Sequence, residues 1–252
     1  VVSNKFVYFG EYWYDNGGLP SILVNYLKTH ELNIFEYLDK DKFLKVSSDD
    51  FKNPTALTTI NQNVLMCQTG YLTLRSDLNK TSTVALGIPN GEIYKALNRL
   101  LANNIFKGNT DITDDYGRSL LEVGTVDDII NLFNSALNSV SYDNYPIVSE
   151  SSVQNMLKLY LLGAHQKVLS EVHEAKGRAD LVVNTDNRRI VFEFKYAKNE
   201  TEAKSKLLDA VEQIKTRDYG NIVPNKTELL RIAAVFNADP KVRAFTEYQK
   251  VV

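Results

Sequence analysis

The chain has little cysteine and no long apolar run, and these shortages exclude whole classes of protein. Its 252 residues include one cysteine, Cys67, which excludes an intramolecular disulfide framework and a cysteine-based metal cluster. No apolar stretch approaches the roughly 18–20 residues that span a bilayer, and no signal peptide is visible. We therefore expect no membrane partner, a reducing compartment and a cytoplasmic location.

A phosphate-binding loop and a strong net charge are also missing. No GxxxxGK[ST] motif occurs in the sequence, so the chain itself is not expected to hydrolyse nucleotides. The net charge is −2, but residues 1–145 hold 12 Lys and Arg against 17 Asp and Glu, whereas residues 146–252 hold 17 against 14. The basic balance of the second part is a weak indication of a polyanionic partner.

The most informative stretch is residues 177–196, GRADLVVNTDNRRIVFEFKY. Two runs rich in Val, Ile and Phe flank a polar turn, and this pattern predicts a β-hairpin. Asp186 and Asn187 are the expected loop residues, because both tolerate left-handed backbone. This register places Asp180 directly opposite Glu193.

Side chains alternate across a strand, so the hairpin has two faces. The apolar face is expected to join the core and carries Ala179, Leu181, Val183, Ile190, Phe192, Phe194 and Tyr196. The other face carries Asp180, Glu193 and Lys195, beside Val182 and Val191. Opposed residues have Cβ atoms about 4.5–5.5 Å apart, where like charges destabilise a sheet. A cation between the two carboxylates would remove that repulsion.

Two interpretations of this charged face stay open from the residues alone. In the first, Asp180 and Glu193 bind a hard divalent cation such as Mg²⁺, which takes one or two carboxylates with water and phosphate oxygens. Lys195 then orients an attacking water or meets the charge that develops on a phosphate. In the second, the face is ordinary sheet surface on which a lysine screens two acids.

The order of Asp180, a short hairpin and then Glu193-x-Lys195 resembles the signature of the PD-(D/E)XK nuclease superfamily. Ala179 stands where members often have proline, which is a frequent variation. The wider sequence is similar to one branch, in which the nuclease domain lies at the C-terminus of an AAA-ATPase-like protein. That resemblance covers residues 145–252 well and residues 6–105 less specifically.

The resemblance implies a set of catalytic residues and metal ligands. The catalytic set is Asp180, Glu193, Lys195, Glu150 and Gln213, and the ligands of Mg²⁺ or Mn²⁺ are Asp180, Glu193 and the Phe194 carbonyl. Glu150 matches a family glutamate on the first helix of the domain, although a helix N-terminus favours any carboxylate. Gln213 matches a family glutamine that faces the site, where Tyr219 joins it. Lys206 and Arg217, on neighbouring turns, are interpreted as solvated helix surface.

The expected fold is α/β, with a boundary in the SYDNYP segment that separates residues 1–145 from residues 146–252. The second part is predicted to run α-β-β-β-α-β-β and, by the resemblance, to be restriction-endonuclease-like. Its expected elements are a helix at 150–165 capped by Ser149, a strand at 168–174, the hairpin, a helix at 200–217, and strands at 228–236 and 245–251.

Residues 1–145 are predicted to be mainly helical with one hairpin. The expected helices are 19–27, 54–67, 92–102 and 125–140, and the strands are 71–74 and 82–86, joined by a turn at 76–81. Helix, hairpin, helix is typical of a winged helix. Basic residues are sparse here, which favours a docking or regulatory module over DNA binding. The residues from 110 to the last helix are acidic and predicted to be rich in turns.

These observations predict a Mg²⁺- or Mn²⁺-dependent nuclease that hydrolyses phosphodiester bonds of nucleic acid, with DNA as the expected substrate. The alternative is a nuclease fold without activity that docks an ATPase or another protein partner. An active nuclease used as a toxin or in defence would differ in biology and not in chemistry.

Overall fold

The computed structural model describes residues 21–27, 30, 32–53, 56, 59–75, 82–106, 114–164, 166–174, 177–219 and 228–252. Contacts between Cα atoms divide the chain into two compact units, Val1–Asn98 and Arg99–Val252. The second unit carries all the predicted site residues. The domain boundary expected at residues 145–146 stays a prediction about which part of the chain folds on its own.

The first unit combines short helices with a small antiparallel sheet. Its elements are α1 (Ser21–Leu27), a 3-10 helix (Ile34–Tyr37), β1 (Leu44–Ser47), α2 (Ser48–Lys52), α3 (Gln62–Gln68), β2 (Thr73–Leu74), β3 (Thr83–Gly87) and the first part of α4 (Gly91–Ile105). The strand order is β1-β3-β2. The predicted order of helix, two strands and helix is confirmed, and β1 is an element that the sequence analysis missed.

The predicted start of one helix in this unit is wrong. The helix expected from residue 54 begins at Gln62, because the Asn61 side chain accepts a hydrogen bond from the backbone N–H of Asn63 at 3.0 Å and caps the helix there. The predictions for residues 19–20 and for the turn at 76–81 lie outside the described residues.

The second unit contains the predicted α-β-β-β-α-β-β series, which is confirmed. Its elements are α5 (Asp114–Val123), α6 (Val126–Asn138), α7 (Glu150–Gly163), β4 (Lys167–Glu174), β5 (Gly177–Asn184), β6 (Arg188–Ala197), α8 (Glu200–Arg217), β7 (Glu228–Asn237) and β8 (Ala244–Val251). The segment before α6 was expected to be rich in turns. That expectation is wrong for Asp114–Val123, which form the helix α5.

Side-chain caps fix where three of these helices begin. Ser149 forms a capping box with Ser152 at the start of α7, as its predicted N-cap role requires. Thr125 forms a capping box with Asp128 at α6. Asn199 accepts a hydrogen bond from the backbone of the first turn of α8. The start of α7 matters most, because it fixes the position of Glu150.

The five strands form one sheet in the order β4-β5-β6-β7-β8. β6 and β7 are parallel and the other neighbours are antiparallel. The predicted hairpin register is confirmed, since Val182 pairs with Val191 and the Thr185 N–H donates to the Arg188 carbonyl at 2.9 Å. The two predicted loop residues, Asp186 and Asn187, form the turn without left-handed backbone. Among the described non-glycine residues, only Asp218 and Arg243 have positive φ.

Helices cover both faces of this sheet. α8 contacts β6, β7 and β8, while α7 contacts β4, β5 and β6 and α6 contacts β8. The core cluster beneath α8 contains Ala179, Val182, Val191, Ala210, Ile214, Tyr219, Ala233 and Val251. Ala179 was predicted on the other face of the hairpin, and its place here is a correction, since the pairing of β5 with β6 ends at Leu181. None of the helices in the described part of the chain has the length and hydropathy needed to cross a membrane.

Candidate active site

The hairpin opens at the position of its two acids. The backbone pairing between β5 and β6 ends at Leu181 and Phe192, one pair before the predicted pair of Asp180 and Glu193. Beyond that point, the Phe194 N–H donates to Asp180 Oδ2 at 2.8 Å. A carboxylate therefore replaces a backbone carbonyl as the partner of β6, which leaves room between the strands for a ligand.

Gln154 holds the other side of this opening. It lies on α7 and is largely buried, and its Nε2 donates to the backbone carbonyl of Asp180. The backbone and the carboxylate of Asp180 are thus fixed by two different elements. The sequence analysis missed Gln154, because a polar residue on a helix gives no sign of which strand carbonyl it will reach.

Glu193 lies on β6 and is completely buried. Its Oε1 accepts a hydrogen bond from Lys195 Nζ at 2.8 Å, which confirms that the two side chains share a face. Within the described residues, Glu193 Oε2 has no hydrogen-bond partner. Lys195 screens the acid as the second interpretation expects, but Glu193 does not lie on an exposed sheet surface. A buried carboxylate oxygen without a partner is costly.

The charges in this site are strongly coupled. Burial, and after it the charge of Asp180, raises the pKa of Glu193 to about 7, although Lys195 and Arg217 act in the opposite direction. Burial acts to lower the pKa of Lys195. The hydrogen bond and charge of Glu193, with the charges of Glu150 and Asp180, outweigh burial and raise that pKa. The lysine stays protonated beside a carboxyl group poised near neutrality.

Glu150 reaches the same site from the first turn of α7. Its Oε2 lies 3.8 Å from Lys195 Nζ, and its side chain is about half exposed. The ammonium of Lys195 therefore lies between a buried and an open carboxylate. The structure brings Glu150 to the predicted place, and its role there stays a prediction.

Gln213 lies on α8 beside Tyr219 and Arg217. Gln213 Nε2 is 3.4 Å from the Tyr219 hydroxyl, and Arg217 Nη1 donates to the same hydroxyl at 2.8 Å. The charge of Arg217 acts on both Asp180 and Glu193. Its stem packs against Gly177, where an added Cβ would lie 2.5 Å from Arg217 Cδ.

Two helix residues were interpreted too simply as solvated surface. Arg217 is exposed but has the defined contacts just described, of which Gly177 in the sequence is at most a weak sign. Lys206 is half-buried and donates to the Tyr196 carbonyl at 2.6 Å while pairing with Glu202 at 2.9 Å. Lys206 therefore ties α8 to the end of β6, which is a structural role.

The oxygen atoms of this site fit a hard divalent cation. Mg²⁺ favours oxygen ligands and usually keeps several waters. Glu193 supplies a buried carboxylate oxygen without a partner, and Asp180 lies beside it. No cluster of three or more His, Cys, Asp and Glu suited to a metal occurs in the described part of the chain. A cation here would thus depend on two carboxylates together with backbone, water or phosphate oxygens.

A comparison with protein families finds a match in this part of the chain. Residues 148–246 match the PD-(D/E)XK nuclease superfamily. The matched region begins just before α7 and ends in β8, so it contains the whole predicted site, β4 to β7 and the start of β8. No curated protein matches the chain.

The match to the nuclease superfamily confirms the restriction-endonuclease-like fold of this region. PD-(D/E)XK proteins are generally hydrolytic nucleases that act on nucleic acid and usually use divalent metals such as Mg²⁺. Residues 1–147 lie outside the match. The ATPase-linked branch and a docking role for the first unit therefore stay predictions.

Proposed function

We propose that this protein is a divalent-metal-dependent nuclease that hydrolyses phosphodiester bonds of DNA. Asp180, Glu193 and the Phe194 carbonyl would hold Mg²⁺ or Mn²⁺. In an antiparallel pair, one residue exchanges both its N–H and its C=O with the same neighbour. Since the Phe194 N–H is bound to Asp180, its carbonyl is expected to face the same opening.

The observation that carries the proposal is the buried pair of Glu193 and Lys195 at the opened end of the hairpin. A stable protein gains little from a buried carboxylate with one oxygen unsatisfied. A bound cation would supply the missing partner, polarise a phosphate and lower the pKa of a water molecule.

The chain's own side chains have distinct roles in this proposal. Lys195 orients the attacking water and stabilises the negative charge that develops on the phosphate. Glu150 holds the ammonium of Lys195 from its open side. Gln154 fixes the strand that carries Asp180, so it is a positioning residue. Gln213 and Tyr219 border the site from α8.

Cleavage of plasmid DNA tests the proposal directly. Supercoiled plasmid is incubated with Mg²⁺ or Mn²⁺ and the wild-type protein, Asp180→Ala or Lys195→Ala. We expect the wild type to nick the plasmid and each variant to be slower by roughly 10²-fold or more, since each loses transition-state charge stabilisation. Lys204→Ala, an exposed lysine on α8, is the matched control. Equal rates in all four proteins would end the proposal.

The competing function is a nuclease fold kept as an inactive docking module. The lack of a third acidic or histidine ligand among the described residues favours it. A calorimetric titration with Mn²⁺ separates the two functions without any substrate. Binding by the wild type that is lost in Glu193→Ala supports the nuclease, and no binding by the wild type supports the docking module.

A further inference from the structure

A second pocket lies at the end of the sheet where β6 and β7 finish. It has a volume of about 240 Å³ and lies between the chain segment after α6 and the turn from β7 to β8. Its polar walls come from Asn138, Tyr142, Tyr145, Lys241 and Arg243, and its other lining residues are apolar. The volume is below the roughly 300 Å³ of the smallest drug-sized pockets, so it limits an occupant to one small group.

The pocket carries positive charge and aromatic surface together. Lys241 and Arg243 line it, and none of its lining residues in the described part of the chain is Asp or Glu. The nearby Asp239 uses its carboxylate Oδ1 to accept the Lys241 backbone N–H at 2.9 Å. Positive side chains beside aromatic rings are the combination with which proteins hold a single nucleic-acid strand.

Arg243 is held in a costly conformation at this pocket. Its φ is 44°, in the left-handed region that favours glycine. Its guanidinium carbon lies 3.5 Å from the centre of the Tyr142 ring, and within the described residues its buried Nε has no hydrogen-bond partner. Local strain and an unsatisfied donor persist where the surrounding structure or a function maintains them.

Two chain segments connect the pocket with the candidate active site. Ile147 lines the pocket, and Glu150, only three residues later, contacts Lys195. Three residues span at most about 10–11 Å. On the sheet, the Ala238 N–H donates to the Ala197 carbonyl at 2.8 Å. Ala197 is two residues after Lys195 on β6, and Ala238 begins the turn from β7 to β8 that lines the pocket. The pocket therefore lies near the end of β6 that carries Lys195, on the side of the sheet that holds the aromatic residues.

From these observations we infer that the pocket binds a nucleotide of the DNA strand close to the phosphate being cut. Arg243 and Lys241 contact the backbone phosphate, and a base stacks against the layer formed by Arg243 and Tyr142. This inference rests on the proposed nuclease function. It adds a site that selects single-stranded or locally opened DNA.

Binding in EDTA tests the pocket without any cleavage. Fluorescence anisotropy measures the Kd of the full chain for a labelled single-stranded oligothymidylate of about 12 nucleotides at several salt concentrations. The variants are Arg243→Gly, which removes the guanidinium at a φ that glycine tolerates, and Lys241→Ala. Lys250→Ala, an exposed lysine on β8, is the matched control.

Each pocket variant is expected to lower the magnitude of the slope of log K against log salt by roughly 0.7, the value for one phosphate contact on a single strand. The double variant is expected to weaken binding by about 5- to 150-fold, the range for loss of one stacked base. Tm measurements should show that Arg243→Gly stays folded. Wild-type Kd and slope in both pocket variants, or no binding by the wild type, would overturn the inference.

Parallel plasmid assays separate this inference from the nuclease proposal. Pocket-dependent binding by a protein that never cuts would sustain the pocket and remove the nuclease. Metal-dependent cutting with unchanged binding in both pocket variants would sustain the nuclease proposal and remove the pocket. Asp180→Ala should lose cutting and keep binding.

Discussion

Helices cover both faces of the five-stranded sheet, but the two faces differ sharply in content. Beneath α6 and α7, the face is aromatic: Phe192 packs 5.3 Å from Phe133 and 5.5 Å from Phe194, measured between ring centres. Beneath α8, small apolar residues lie beside the buried carboxylate of Glu193. One face supplies stability, and the other gives up some stability to hold charge.

Residues 192 and 193 show this contrast at neighbouring positions. Both are completely buried, and strand alternation alone directs one to each face. The phenyl ring gains from burial, whereas the carboxylate loses its water and keeps one oxygen without a partner in the described structure. Substitutions at these two positions should therefore change stability in opposite directions.

The largest effect is expected at the aromatic face. Phe192→Ala removes a ring from a packed cluster and should lower the free energy of unfolding by about 3–5 kcal/mol. Urea denaturation measures the loss, and Phe192→Leu, which keeps an apolar side chain, should lose less. Mn²⁺ affinity of the folded fraction should be unchanged. A loss of stability close to zero would mean that this face is not the stabilising one.

On the charged face, Glu193→Gln should raise the free energy of unfolding relative to the wild type, and this difference should grow with pH. Burial raises the pKa of Glu193 from 4.5 to about 7 in the folded protein. Below pH 4.5 the carboxyl is neutral in both states, whereas above pH 7 the folded state must bury its charge. The wild type should therefore lose stability across this window, relative to the glutamine variant, by about 3 kcal/mol.

Urea denaturation of the metal-free proteins at pH 5, 6, 7 and 8 measures that difference. The amide oxygen of the glutamine can still accept a hydrogen bond from Lys195 Nζ, so the dependence of the difference on pH reports the ionisation of the carboxyl group in its native surroundings. Glu212→Gln, on the exposed side of α8, controls for removal of a glutamate. A difference that is constant with pH, or that shrinks as pH rises, would contradict the assignment of Glu193 as a destabilised acid.

The sequence predicted the aromatic face and the hairpin well, because alternation and a two-residue loop leave one register that buries the phenylalanines. The same rule placed Glu193 and Lys195 together. Strand alternation could not predict the opening of the strands at Asp180, since that opening involves Gln154, which is 26 residues away in sequence. α5 was missed because acidic residues in a first turn resemble those of a polar loop.

Arg217 shows a different limit of sequence reasoning. Its position on α8 indicated solvent, and exposure is what the structure shows. Its contact with Tyr219 and its closeness to Gly177 arise from packing of a helix end on a strand start, and no local pattern encodes that packing. A glycine at the start of a strand is weak evidence of a close approach, and only coordinates reveal what approaches it.

The smallest effect on stability is expected at the contact between Gly177 and Arg217. A change there tests the charged face of the sheet without unfolding the protein. In Gly177→Ala, the new methyl would lie 2.5 Å from Arg217 Cδ. The flexible arginine should swing away from Tyr219, since moving a side-chain end is cheaper than moving a strand. Stability should change by less than about 1 kcal/mol, while kcat/KM for DNA cleavage falls about tenfold, the equivalent of roughly 1.4 kcal/mol.

A double-mutant cycle shows whether Arg217 carries that loss. Arg217→Ala alone should match Gly177→Ala, and the double variant should be no slower than either, because both changes remove the same guanidinium from the site. Gly91→Ala is the matched control, since a methyl group there meets no atom within 4 Å. If the losses of kcat/KM add in the double variant, the substitution at Gly177 acts through the strand itself and not through Arg217.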